Sequence, residues 1–132
     1  MSQSVDPKQL NGLALAYMGD AVYEQAIREH LISLGKTKPK RLHASATNYV
    51  SAKAQAYLID NMLTEAILTE EELSYYKRGR NAKSYTKAKN ADSKTYSRST
   101  GFEALIGYLY LTGQSTRLDE VITWCIKDIE KQ

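Results

Sequence analysis

Leu15-Ala16-Tyr17-Met18-Gly19-Asp20-Ala21-Val22-Tyr23 sets a glycine and a carboxylate inside an otherwise apolar helical run. Leu13 precedes Asp20 by seven residues, and Ile27 and Leu31 follow it by seven and eleven, so helical spacing predicts that the acid lies on a core-facing stripe. An ionised carboxylate there is costly unless something positive compensates it. Gly19 is a second oddity, because glycine inside a helix costs about 1 kcal/mol relative to alanine and marks a close backbone approach. Both features point to a site.

Around that stretch the composition is ordinary. The 132 residues suit one domain with one core, and 42% hydrophobic with 25% charged residues indicates neither disorder nor a membrane protein. No run of eighteen apolar residues occurs. The N-terminus shows no basic segment followed by an apolar one, so a cytoplasmic location is expected. A lone cysteine, Cys125, excludes a disulfide framework and reads as a small core residue.

Charge is where the composition becomes informative. Lys77, Arg78, Arg80, Lys83, Lys87, Lys89, Lys94 and Arg98 face Asp92 alone between positions 77 and 98, a local charge of +7 in a chain whose total is +3. The rest of the chain is therefore net acidic. A localised basic segment attracts polyanions, nucleic acid first among them.

Periodicity gives helices throughout. Asp6-Pro7 reads as a cap and first helical position for a long helix, or two, through Leu10, Leu13, Tyr17, Ile27 and Leu31, closed by Gly35. A second periodic segment runs from Leu42 through Tyr49, Val50 and Ala56 to Met62. Thr69-Glu70-Glu71-Glu72 has capping-box form and opens a short helix through Tyr75 and Tyr76 that Gly79 interrupts. From Arg80 to Ser97 a helix fragment starting about Ala82 and then an exposed loop are expected. Thr100-Gly101-Phe102-Glu103 is another capping box, opening an apolar helix that ends at Gly113, and Ser115 caps the last helix. No strand is predicted, so the class is all-α, one compact helical bundle.

Two carboxylates, Asp20 and Glu103, sit in apolar helical surroundings. If their helices pack side by side, they converge on a hard cation such as Mg²⁺, which takes few carboxylates and several waters and activates water against a phosphodiester. Plainer roles stand beside this one. Glu103 is also the third residue of the Thr100 capping box, Asp20 has the option of pairing with a buried base, and Glu24 fits an ordinary helical ion pair with Arg28 better than a third ligand position. His30 and His43 are too far apart in sequence for a histidine metal cluster, and no phosphate-binding glycine loop is present. Of the ten tyrosines, Tyr75, Tyr76, Tyr85 and Tyr96 fall in or beside the basic segment, where some could stack on bases, although packing suits most of them better.

The run Leu15 to Tyr23, with Met18-Gly19-Asp20-Ala21-Val22 at its heart, resembles the signature helix of ribonuclease III, and Phe102-Glu103-Ala104-Leu105-Ile106-Gly107 resembles that family's second acidic helix. Val50-Ser51-Ala52-Lys53, Arg78-Gly79-Arg80-Asn81-Ala82-Lys83-Ser84 and Ser99-Thr100-Gly101 are similar to the short bacterial form that lacks a separate double-stranded-RNA-binding domain. The resemblance spans nearly the whole chain. It implies that residues 1–132 form an all-α catalytic domain of the ribonuclease III endonuclease type, acting as a homodimer on double-stranded RNA with Mg²⁺ and leaving 5′-phosphates. Asp20 and Glu103 match the family's catalytic metal ligands. Full-length enzymes carry two more acids at the positions held here by Ala16 and Thr100, which suggests weaker metal binding. The implied substrate is the precursor of large-subunit (23S) ribosomal RNA, with a large-subunit ribosomal protein as helper. RNA contacts are expected from Lys77, Arg78, Arg80, Lys83, Lys87 and Lys89, with Lys36, Lys38, Lys40 and Arg41 second. The rival expectation is a non-catalytic RNA-binding or ribosome-assembly module that keeps the fold.

Overall fold

A computed structural model of the chain describes residues 5–82 and 92–132. Among the described residues, a 3-10 turn at Pro7–Gln9 is followed by six helices: α1 Gly12–Ser33, α2 Pro39–Val50, α3 Ala52–Thr64, α4 Glu70–Arg80, α5 Ser93–Leu111 and α6 Ser115–Glu130. No strand occurs among the described residues. The all-α expectation holds. Lys83, Tyr85, Lys87, Lys89 and the helix expected from about Ala82 lie almost wholly outside the described residues.

Helix α5 is the axis of the bundle. Phe102, Ala104, Leu105, Ile106 and Leu109 are fully buried along it, and α1, α3 and α4 pack around it. Its closest neighbour is α1, which it crosses antiparallel at two glycines. A Cβ on Gly19 would fall on the carbonyl oxygen of Glu103, and one on Gly107 would fall on that of Leu15. The two backbones touch because neither helix presents a side chain there. The edge-on pair Tyr23–Phe102, with ring centroids 5.0 Å apart, seals the next layer. Cys125 is buried in the core as expected.

Several boundaries differ from the sequence-based expectation. Asp6-Pro7 opens only the 3-10 turn, and α1 starts at Gly12 because the Asn11 side chain accepts from the Ala14 N–H. The periodic segment from Leu42 to Met62 is two helices, broken at Ser51, whose extended backbone ends α2 while its hydroxyl caps the Ala54 N–H of α3. Gly79 does not interrupt α4; it lies inside the helix, against Ala104 and the Thr100 carbonyl of α5. Thr100 opens nothing. Asp92 caps α5 through the Thr95 N–H, so residues 93–97, expected as loop, are helical, and Thr100 Oγ1 donates to the Tyr96 carbonyl from mid-helix. Ser115 is the first residue of α6 rather than its cap, and no side chain caps that end. The Thr69 capping box is formed in full.

The largest correction concerns Asp20, which is exposed rather than core-facing. The buried stripe of α1 is Leu15, Gly19, Tyr23, Ile27 and Leu31. Ile27 shares Asp20's face by spacing, but α2 packs over the C-terminal half of α1 and leaves the half around Leu13, Tyr17 and Asp20 open. Periodicity reports which residues share a face, not how far along the helix that face is covered.

Candidate active site

The antiparallel crossing of α1 and α5 decides where the two carboxylates go. Gly19 rests on the Glu103 carbonyl, so Asp20, the next residue, projects beside the Glu103 side chain. Burial, then the charge of Asp20 and the hydrogen bond with it, push the Glu103 carboxyl up to about 8, with Gln55 opposing and Glu24 adding to the rise. Near neutral pH, Glu103 therefore holds its proton unless another positive charge replaces it.

The capping-box role for Glu103 is excluded, because Thr100 is the eighth residue of a continuous helix. Its Oε2 instead faces the amide of Gln55 on α3, at 3.4 Å from Nε2. Glu24 keeps an exposed ion pair with Arg28 at 3.4 Å, four residues along α1. Ala16 and Thr100 are both buried. Among the described residues no group of three or more His, Cys, Asp or Glu side chains forms a ready cation cage. Two converging carboxylates, one of them half-buried and proton-holding, nonetheless suit Mg²⁺, which takes one or two carboxylates, keeps several waters and completes its shell with substrate phosphate.

The basic segment is less uniform than its sequence suggests. Lys77 and Lys94 are exposed. Arg78 instead donates from Nη1 to the carbonyls of Lys8 and Leu10, both at 2.8 Å, with its guanidinium over the Tyr75 ring. Arg80 lies over Tyr76, and Arg98 Nε is 3.2 Å from Asp60 Oδ1. Tyr75 stacks on Tyr108 with centroids 3.7 Å apart, and Tyr76 is buried, so neither presents a face to a base. Lys36, Lys38, Lys40 and Arg41 are all exposed. His30 is engaged with Glu130 at 2.7 Å.

One buried polar residue at the site was not singled out from the sequence: Gln55, 1% exposed, which the Val50-Ser51-Ala52-Lys53 motif stops two residues short of. The available signal was a lone glutamine between Ala54 and Ala56 on an otherwise apolar helix face.

A helical bundle with paired acids at the crossing of its two central helices defines the class, and the comparisons agree: residues 13–114 match the ribonuclease III domain, and the chain belongs to the ribonuclease III family of endoribonucleases. Within it the chain is similar to proteins named Mini-ribonuclease 3. That of Enterococcus faecalis is 65% identical over 124 residues, 94% of each chain, and that of Streptococcus pneumoniae is 58% identical over 126 residues, 96% of this chain and 98% of the other. A crystal structure of a Fusobacterium nucleatum protein, 30% identical, superposes with a TM-score of 0.80 over 95% of this chain and 98% of that one.

Proposed function

We propose that the chain is a Mg²⁺-dependent endoribonuclease that cuts double-stranded RNA as a homodimer in the cytoplasm, maturing the ends of 23S ribosomal RNA precursor with a large-subunit ribosomal protein as helper. The observation that carries this reading is the meeting of Asp20 and Glu103 at the α1–α5 crossing, with the Glu103 carboxyl pushed up to about 8. A bound divalent cation supplies positive charge and activation of water against the phosphodiester. Asp20 and Glu103 hold it. Glu103 releases its proton as it takes up the cation, so metal binding strengthens with rising pH. The exposed Lys77 and Lys94 flank the basic segment and hold the RNA backbone, with Lys36, Lys38, Lys40 and Arg41 as a second set. Duplex RNA offers chiefly phosphates and 2′-hydroxyls, so shape outweighs sequence in its recognition.

Leu13, Tyr17 and Tyr110 support the homodimer. They are 38%, 84% and 51% exposed near the start of α1 and the end of α5, apolar surface suited to a second copy. No described helix is long and apolar enough to cross a membrane. The test is cleavage of an end-labelled RNA duplex with Mg²⁺ by the wild type, Asp20→Asn and Glu103→Gln. Both variants are expected to lose cleavage while still binding duplex. Cutting at the wild-type rate by either variant would overturn the assignment, and binding without cleavage by the wild type would favour a non-catalytic module.

A further inference from the structure

Three helices meet at the amide of Gln55, and none of its contacts is interchangeable. The Val50 carbonyl, at the end of α2, accepts from Nε2 at 3.2 Å, and a carbonyl has no proton to give. That contact fixes which end of the amide is nitrogen. Oε1 must then face Ser99, whose hydroxyl donates to it at 2.8 Å. The remaining N–H of the same nitrogen faces Glu103 Oε2 at 3.4 Å. Ser99 and Glu103 are one helical turn apart on α5, so the glutamine spans that turn. Its two shorter bonds orient the amide, and the longer third bears on the carboxylate.

We infer that Gln55 is a positioning residue for Glu103: locked by Val50 and Ser99, its amide aims one N–H at Oε2 and fixes the carboxylate in the rotamer that meets Asp20. This rests on the reading of Glu103 as a metal ligand. Hydrogen-bond partners that orient a ligating carboxylate change metal affinity by about 10–100-fold when removed. Without Gln55, Glu103 swings freely and the pair loses its shared geometry, although the charge of the site is unchanged.

The test uses the full-length chain with Mn²⁺ as probe. Mn²⁺ binding in the absence of RNA is read by electron paramagnetic resonance, alongside kcat and KM on an RNA duplex. Gln55→Met, close in volume and without the amide, is expected to weaken Mn²⁺ binding by about 10-fold or more and to lower kcat, with KM for duplex within about twofold. Ser99→Ala keeps Gln55 but frees its amide to rotate; it is expected to shift the same two quantities in the same direction by less, and it reads out the proposal if Gln55→Met does not fold. Gln55→Asn, too short to reach, is expected to behave like Gln55→Met. Mn²⁺ affinity and kcat within twofold of wild type in a folded Gln55→Met, or in Ser99→Ala where Gln55→Met is unfolded, overturns the positioning role. Glu103→Gln separates that failure from failure of the underlying reading: if it too binds Mn²⁺ normally, Glu103 is no ligand and there is nothing for Gln55 to position.

Discussion

Gly19 of α1 lies against the carbonyl oxygen of Glu103 on α5, so the tightest backbone approach between these helices sits one residue from one acid and on the other. The packing contact and the paired acids share a location. Anything that separates the helices at Gly19 also separates Asp20 from Glu103.

Gly19→Ala should therefore act on both. A Cβ there meets backbone, which has no rotamer to yield, so the cost belongs at the upper end of the about 1–3 kcal/mol of overpacking. Urea denaturation is expected to show that loss. Under conditions where each variant is fully folded, the Gly19→Ala cleavage rate should fall further than its stability alone explains, while the equivalent change at Gly113, which costs left-handed backbone strain at φ +73° but meets nothing within 4 Å, should leave the rate intact.

The Glu103 carboxyl, raised by burial and by Asp20 to about 8, ties stability to pH. Folding favours its protonated form over the unfolded chain's ordinary acid, so its contribution is fully present below the unfolded value and is lost as pH rises through about 8. With EDTA present, the melting temperature is expected to fall between about pH 5 and pH 9, and Glu103→Gln should flatten that slope. Added Mg²⁺ should raise the melting temperature more at pH 9 than at pH 6. An equal metal effect at both would mean that the cation does not replace this proton.

Far from the site, Glu72 is 3% exposed and accepts from Arg117 through both oxygens, at 2.8 and 2.9 Å. Burial pushes the carboxyl up, but the Arg117 hydrogen bonds and the Thr69 backbone N–H outweigh it and hold it below its ordinary value. Arg117→Ala strands that charge and is expected to cost about 3–5 kcal/mol. Glu72→Gln should cost less, and a thermal melt of the two variants checks the order.

Arg78 and Lys77 of α4 should separate by readout. Arg78→Ala removes two charged hydrogen bonds to the Lys8 and Leu10 carbonyls, and is expected to cost about 1–3 kcal/mol by detaching the N-terminal turn. Lys77→Ala, exposed and without such bonds, should leave stability unchanged and lower the salt dependence of duplex binding by about one phosphate contact. A Lys77→Ala slope equal to wild type would place the RNA face elsewhere.

The acids and their helices were legible in the sequence because an acid inside an apolar periodic run is chemically conspicuous wherever it lies. The coverage of the helices was not. Thr100-Gly101-Phe102-Glu103 has the letters of a capping box, but a box caps only where the chain upstream is non-helical, and Asp92 had already started α5. Ser51 was invisible as a break for the converse reason: it carries the apolar period of one helix into the next with a single extended residue. Gln55 was missed because a neutral amide among alanines gives no charge signal; only the three-dimensional meeting of Val50, Ser99 and Glu103 shows what it bonds.

Helix α5, longer at its start than its sequence pattern announces, spans nineteen residues from Ser93 to Leu111, roughly 28 Å at the usual helical rise. Lys94 stands near one end, Glu103 in the middle and the exposed Tyr110 near the other. That one rod is a ruler. Lengthening or shortening the connection between α4 and α5 leaves the interval from Glu103 to Tyr110 as it is, so the span between the acid at the helix crossing and the exposed tyrosine is graduated by helical rise and not by loop length.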